Sequence, residues 1–160
     1  MTPSSPQEVA VLIPLILALL TTLVTIGVHA VALGATLQFI RREYQFRRAG
    51  AGFWTDVAIV AAVTLLALIA HMVEIAIWAV LFVVCGEFMG LAPAFYHSAM
   101  NYTSLGYGDV VMSRSWRLFG PLEAAVGLLM FGVSTAMIFA VIQRLFRTRV
   151  EARHAAHTDH

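Results

Sequence analysis

Three long apolar runs constrain this chain more than any other feature of its sequence. The first, residues 9–40, contains no Asp, Glu, Lys or Arg. As a helix it would extend about 48 Å, which exceeds the roughly 30 Å thickness of the hydrocarbon core of a bilayer. The second run, residues 56–85, is interrupted by His71 and Glu74, and the third comprises residues 119–146. We therefore predict three membrane-spanning helices.

The composition excludes several other classes of protein. The chain of 160 residues is 60% hydrophobic and 12% charged, whereas about a quarter of the residues in soluble domains are charged. A soluble enzyme and a disordered chain are therefore excluded. Cys85 is the single cysteine, so an internal disulfide cannot form. The first run lacks the basic segment of a signal peptide, and its helix is expected to begin near residue 9 or at Pro14, which suits a first turn.

The distribution of arginine predicts the orientation of the spans. All ten basic residues are Arg, and eight of them lie at residues 41–48 and 144–153. Such clusters mark cytoplasmic flanks, and both can be cytoplasmic if residues 86–118 do not cross the membrane completely. We expect a plasma membrane protein with its N-terminus outside and its C-terminus in the cytoplasm. The clusters are predicted to contact anionic lipid head groups rather than nucleic acid.

The segment between the second and third spans has features of a loop that enters the membrane and returns. Pro93 suits the first turn of a helix over residues 94–103, which would be about 16 Å long. Gly106 and Gly108 then permit backbone angles that other residues disfavour. Non-helical backbone at membrane depth has to be buried in protein or to line water. The negative end of the short helix would favour a cation beside that backbone.

Residues 103–109 read Thr-Ser-Leu-Gly-Tyr-Gly-Asp, which resembles the selectivity filter of potassium channels, commonly Thr-Thr-Val-Gly-Tyr-Gly-Asp. The similarity continues through the second and third spans and is strongest with bacterial-type channels that have a single pore domain, whose inner helix often reads like residues 129–136. The resemblance implies an all-α membrane protein with three transmembrane helices, a re-entrant pore helix and a filter loop. It also implies a homotetramer, because one loop supplies a quarter of the ring.

The function implied by the resemblance is passive conduction of K⁺, with no enzymatic activity and no cofactor besides the permeant ion. The implied filter consists of Thr103, Ser104, Leu105, Gly106, Tyr107, Gly108 and Asp109. By the same resemblance, K⁺ is bound by the backbone carbonyls of Ser104, Leu105, Gly106 and Tyr107 and by the Ser104 hydroxyl. Ser104 replaces the usual Thr and lacks the methyl group that restrains its rotamer. A weakly selective monovalent cation channel is therefore an alternative.

The chain is predicted to have three parts. Residues 1–50 form an N-terminal transmembrane helix and an Arg-rich cytoplasmic loop, residues 51–148 form the pore domain, and residues 149–160 form a short cytoplasmic tail. The first helix, which the minimal two-helix channel lacks, is expected to pack outside the pore. The tail histidines at 154, 157 and 160 are interpreted as part of a frayed polar end rather than as a metal site.

Two pairs of residues in the spans are further candidates. Gly127 and Gly132 could act as a hinge of the third span or allow close helix packing. His71 and Glu74 lie three residues apart and so share a helical face. They are interpreted either as a proton-sensing pair that biases gating or as a structural hydrogen bond. His29 of the first span could face them.

Glu123, shortly after Pro121, is interpreted as an acidic residue that complements the positive end of the third span. Met100 occupies a position at which some potassium channels have a buried carboxylate, so no carboxylate-controlled filter gate is expected.

Two hypotheses other than ion conduction also fit parts of the sequence. The first hypothesis, which is left as an alternative, is a pore-domain relative that does not conduct ions and serves as an assembly partner. Residues 106–109 also fit the Gly-x-Gly-Asp pattern of intramembrane aspartyl proteases. We reject a protease because neither of the other aspartates, Asp56 and Asp159, is placed to pair with Asp109.

Overall fold

The chain folds into three long helices and one short helix. The computed structural model describes residues 6–46 and 52–158, and within these ranges it contains no β-strand. The helices are α1 (Pro6–Gln45), α2 (Phe53–Val84), α3 (Leu91–Tyr102) and α4 (Phe119–Thr158). Helices α1, α2 and α4 each contain a segment long and apolar enough to cross a membrane. The predicted all-α fold with three spans is thereby confirmed.

The ends of the helices differ from the predictions in two places. Pro14 lies inside α1 rather than at its start, because proline is tolerated within membrane helices whose neighbours compensate for the lost hydrogen bond. Helix α4 continues to Thr158. The expectation of a frayed tail is therefore wrong for residues 149–158, where Arg, Glu and Ala favour helix. His160 lies outside the described residues.

The helices divide into two compact units. The first contains the chain up to His29 together with His71–Phe131, and the second contains Ala30–Ala70 together with the chain from Gly132 onward. Each long helix contributes to both units, whereas α3 belongs wholly to the first. The predicted filter residues therefore all lie in the first unit.

The core of the first unit is formed where α2, α3 and the start of α4 pack together. Trp78, Phe82 and Phe119 are fully buried. The rings of Phe82 and Phe119 stack with their centroids 5.9 Å apart, and Trp78 meets Phe119 edge-on at 6.4 Å. On α3 the buried residues recur at helical spacing and define a single inward face: Ala94, His97, Ser98 and Tyr102.

The second unit has its own small core and polar contacts. Its buried apolar residues come from all three long helices: Ile40, Ile59, Val63, Val141 and Leu145. Arg149 forms an ion pair with Asp56. The guanidinium of Arg144 lies over the ring of Tyr44, 4.5 Å from its centroid, in a favourable cation–π arrangement. Two arginines of the C-terminal cluster thus have partners within this unit.

Many large apolar side chains remain exposed on the single chain. Soluble monomers rarely expose extended apolar surface, and this exposure fits helices whose outer faces meet lipid or other subunits. Examples from the three long helices are Leu12, Leu19, Val31, Leu65, Val80, Leu129 and Phe146.

A glutamate joins the two connections on either side of α3. Glu87 follows α2, and its carboxylate accepts hydrogen bonds from the backbone N–H and the hydroxyl of Ser113, each at 2.7 Å. Ser113 lies between α3 and α4. Because both connections are held at this point, the ends of the segment that carries α3 and the predicted filter are fixed relative to each other.

Gly127 allows α4 to approach the end of α3. A Cβ atom added at Gly127 would overlap the backbone carbonyl oxygen of Tyr102 and lie 2.9 Å from its carbonyl carbon. This contact supports the packing role of Gly127 and leaves the hinge role a prediction. At Gly132, the described residues place no heavy atom within 4 Å of an added Cβ.

We predict that Gly127→Ala destabilises the protein by about 1–3 kcal/mol, because an extra methyl group in a filled space forces the backbone apart. The matched control, Gly132→Ala, should be neutral or stabilising by up to about 1 kcal/mol, since alanine favours helix over glycine. Thermal or denaturant unfolding of the purified protein in detergent would measure both. Equal stabilities of the two variants would contradict the close approach of Gly127 to Tyr102.

Candidate functional site

Helix α3 begins slightly earlier than the sequence predicted. It starts at Leu91, so that Pro93 lies in its first turn, and it ends at Tyr102. Its 12 residues correspond to about 18 Å. The Thr103 N–H and hydroxyl both donate to the Ala99 carbonyl, at 3.1 and 2.6 Å. Thr103 thereby closes the helix immediately before the non-helical segment.

The filter loop, residues 103–109, has an alternating backbone. Ser104, Gly106 and Gly108 have positive φ angles of 58°, 55° and 72°, and the intervening Leu105 and Tyr107 do not. The unusual angles predicted at the two glycines are confirmed. The positive φ of Ser104 was not predicted, because non-glycine residues seldom adopt it. Ser104 is the one non-glycine residue with positive φ in the part of the chain that the structure describes.

Backbone N–H groups of the filter loop are bonded to the last turn of α3. Leu105 and Gly106 both donate to the Met100 carbonyl, at 3.0 and 3.1 Å, and Ser104 donates to the Asn101 carbonyl at 2.8 Å. These bonds satisfy carbonyls that a helix end leaves without partners. The loop is thus held through its N–H groups.

The carbonyl groups of the same loop are left available. Within residues 6–46 and 52–158, no hydrogen bond is accepted by the carbonyl oxygens of residues 104–107. The side chains of Leu105 and Tyr107 are 52% and 70% exposed. Because buried backbone carbonyls nearly always have partners, this stretch is suited to a water-lined path or to direct binding of cations.

The C-terminal end of the filter loop is attached to α3 by a side-chain contact. The Tyr96 hydroxyl donates a 2.8 Å hydrogen bond to the Asp109 carboxylate. This bond raises the pKa of Tyr96, because it stabilises the protonated phenol. The partner of Asp109 is therefore a phenol rather than the second carboxylate that an aspartyl protease requires.

A polar cluster of His29, His71, Glu74 and Tyr102 lies beside the N-terminal end of the loop. His29 Nδ1 is 2.8 Å from Glu74 Oε1, and the Tyr102 hydroxyl donates to Glu74 Oε2. His71 Nδ1 is 3.2 Å from the Tyr102 hydroxyl and 3.5 Å from Glu74 Oε2. All four side chains are buried. The proximity predicted for His71 and Glu74, and the possible approach of His29, are confirmed, whereas proton sensing by the pair stays a prediction.

Sequence reasoning missed Tyr102 as a member of this cluster. It is the last residue of α3 and directly precedes the filter loop. The available signal was its position, because a phenol in the last turn of a helix enclosed by membrane spans needs a polar partner. The cluster therefore connects α1 and α2 to Tyr102, the residue directly before the filter loop.

The interpretation of Glu123 as a residue that complements the start of α4 is wrong. Helix α4 begins at Phe119, and the fully buried Glu123 contacts α3 instead, with Oε1 at 2.5 Å from the Ser98 hydroxyl. A buried carboxyl group requires a hydrogen-bond partner, and α3 supplies one at this height. Glu123 thus places a buried carboxyl group against α3. This carboxyl group comes from α4 and not from residue 100, where some potassium channels have one and this chain has Met100.

The surroundings of Ser98 indicate the protonation state of Glu123. The Ser98 hydroxyl also lies 2.8 Å from the Ile75 carbonyl oxygen, which can only accept. A hydroxyl has one hydrogen. If Ser98 donates that hydrogen to Ile75, the bond with Glu123 needs a proton from the carboxyl group. Both contacts can be full hydrogen bonds only if Glu123 is a protonated carboxylic acid that donates to Ser98, and we predict this state.

We predict that the infrared spectrum at neutral pH contains a protonated-carboxyl C=O band that Glu123→Gln removes. Glu87→Gln is the matched control: Glu87 accepts from a backbone N–H and a hydroxyl, which indicates an ionised carboxylate, so this variant should leave the band in place. Because glutamine can also donate to Ser98, Glu123→Gln should change stability by less than about 1 kcal/mol. An identical carboxyl region in wild type and Glu123→Gln would show that Glu123 is ionised.

Comparison with known proteins assigns the family. The family model Ion_trans_2, described as an ion channel, matches residues 57–144, more than half of the chain. The chain belongs to this ion channel family. The matched domain is of the two-transmembrane potassium channel type, and the channel has an additional apolar helix, α1, before it. No curated protein and no solved structure matches the chain.

The family places the described geometry in a functional context. The match includes nearly all of α2, the whole of α3 and the filter loop, and α4 as far as Arg144. The family is one of ion channels. Together with the three apolar helices, it indicates a multi-pass membrane channel.

Proposed function

We propose that the channel conducts K⁺ passively and selectively through a pore formed by four copies of the chain. The observation that carries this proposal is the alternating positive φ of residues 104, 106 and 108, combined with loop carbonyls that accept no hydrogen bond from the described part of the chain. Rings of backbone carbonyls replace the hydration shell of K⁺ in selective channels. The proposed ligands are the carbonyls of residues 104–107 and the Ser104 hydroxyl.

Four copies are proposed because one chain provides too few carbonyl ligands to surround an ion. One filter loop supplies a single carbonyl at each level, which cannot enclose an ion that needs a complete coordination shell. The exposure of Leu105 and Tyr107 is consistent with partner subunits that cover this surface. Helix α3 also directs its negative end toward the start of the loop, which favours a cation there. No cofactor is required besides the permeant ion.

Weak selectivity among monovalent cations is the second candidate. The observation that favours it is Ser104, whose hydroxyl lacks the neighbouring methyl group that would limit its rotamers. Reversal potentials of the purified channel in planar bilayers with K⁺ on one side and Na⁺ on the other separate the two candidates. A potential close to zero would favour weak selectivity, and an absence of current under all conditions would favour a non-conducting assembly partner.

We predict that Gly108→Ala abolishes K⁺ flux into liposomes while the subunits still assemble. Gly108 has φ of 72°, and no described heavy atom lies within 4 Å of an added Cβ. The damage should therefore come from the backbone angle, which costs an L-residue about 1–2 kcal/mol and is repeated in every subunit of the ring. Gly34→Ala, in α1 outside the matched domain and with no described heavy atom within 4 Å of an added Cβ, is the control and should conduct. Selective flux at the wild-type rate in Gly108→Ala would refute the assignment of the filter.

We predict an orientation in the plasma membrane with the N-terminus outside and the C-terminus in the cytoplasm. The reason is the placement of both Arg clusters on the side where basic flanks are retained, next to anionic lipid head groups. A reporter fused before residue 1 and one inserted at Gly90 should be accessible from outside. A reporter between α1 and α2 should be accessible from the cytoplasm. The reverse pattern would overturn the orientation without bearing on the filter.

A further inference from the structure

The polar cluster brings three common metal ligands into one small space. His29, His71 and Glu74 each offer one ligand atom, and these atoms all lie within 4.8 Å of one another. One comes from α1 and two come from α2. The side chains of both histidines are 4% exposed and that of Glu74 is fully buried. Such a set of ligands inside apolar helices is costly unless a function or a bound ion compensates.

Three distances within the cluster are close to the edge length of a zinc tetrahedron. A tetrahedral zinc ion with bonds of about 2.0–2.1 Å holds its ligands about 3.3 Å apart. The observed separations are 2.8 Å from His29 Nδ1 to Glu74 Oε1, and 3.5 and 3.2 Å from His71 Nδ1 to Glu74 Oε2 and to the Tyr102 hydroxyl. The hydrogen bond from the Tyr102 hydroxyl to Glu74 Oε2 is shorter than such an edge, so Tyr102 would have to move away from the carboxylate to share an ion with it.

The charge of the cluster suits a divalent cation. Glu74 accepts hydrogen bonds from the Tyr102 hydroxyl and from His29, as an ionised carboxylate does. An unbalanced charge is unfavourable in a buried, apolar environment. A divalent ion bound by the Glu74 carboxylate and a Tyr102 phenolate would be electrically neutral.

We propose that His29, His71 and Glu74 bind Zn²⁺, with the Tyr102 oxygen as the fourth ligand. Both histidines coordinate through Nδ1 and keep a hydrogen on Nε2. Tyr102 loses its proton to solvent, so that one proton leaves as the ion enters. Two nitrogen and two oxygen ligands in a tetrahedron suit zinc. The ion would join α1, which lies outside the matched ion channel domain, to the residue that precedes the filter loop.

The test measures metal content in the full-length channel, with an affinity tag that contains no histidine. In all samples His154, His157 and His160 are replaced by Gln to remove the ligands of the tail. The protein is expressed with added zinc, purified in detergent and dialysed against a weak chelator. We expect about one zinc ion per subunit by mass spectrometry of the elements. His29→Gln and His71→Gln should each lower the zinc content to background.

His97→Gln is the matched control, because His97 is a buried histidine of the same unit that bonds to Asn101 rather than to the cluster. It should retain zinc. A second measurement requires no variant of the cluster: protein loaded with Co²⁺ should show the strong visible absorption of tetrahedral Co²⁺. Background zinc together with no such absorption would overturn the proposal, as would unchanged zinc in His29→Gln. Copper or nickel in place of zinc would overturn the choice of ion. None of these outcomes depends on K⁺ conduction.

Discussion

The hydrogen bonds of the last turn of α3 determine which backbone groups of the filter loop remain available to water or to an ion. Its Met100 carbonyl accepts hydrogen bonds from Leu105 and Gly106, so the N–H groups of the loop face the helix and are satisfied. The carbonyls of the same residues receive no such bond from the described chain. In a membrane, a polar group without a protein partner requires water or an ion. The positive φ of Ser104 is strained for a residue with a side chain, and it persists because the helix end fixes the backbone on that side.

Much of this arrangement could be predicted because it depends on residues that are close to one another in the sequence. Uncharged runs predict spans, Pro93 and the two glycines predict a short helix and a loop, and the chemistry of glycine predicts positive φ. The helix ends were less predictable: proline inside α1 and the continuation of α4 depend on neighbours and on small differences in propensity. The positive φ of Ser104 arises from the alternation of the whole loop rather than from its own preference.

The contacts between helices could be predicted only in part. His71 and Glu74 share a face of one helix, so spacing alone places them together, whereas Tyr102 and Ser98 reach their partners across helices. Glu123 shows the difference: its position near a helix start suggested a local role, and its actual partner is Ser98 of α3. The two buried carboxyl groups of the first unit therefore have different environments. Glu74 has a phenol and two histidines around it, and Glu123 has the Ser98 hydroxyl and the Asn101 side chain.

The contact of Gly127 with Tyr102 has a consequence for how this domain can be recombined with others. The Tyr102 carbonyl touches α4 at a position that accepts no side chain, while its hydroxyl bonds to Glu74 of α2. A chimera that exchanges α4 alone would place a foreign side chain against the residue before the loop. The smallest transferable module is therefore α3, the loop and α4 together, with a carboxyl group retained on the α2 of the recipient.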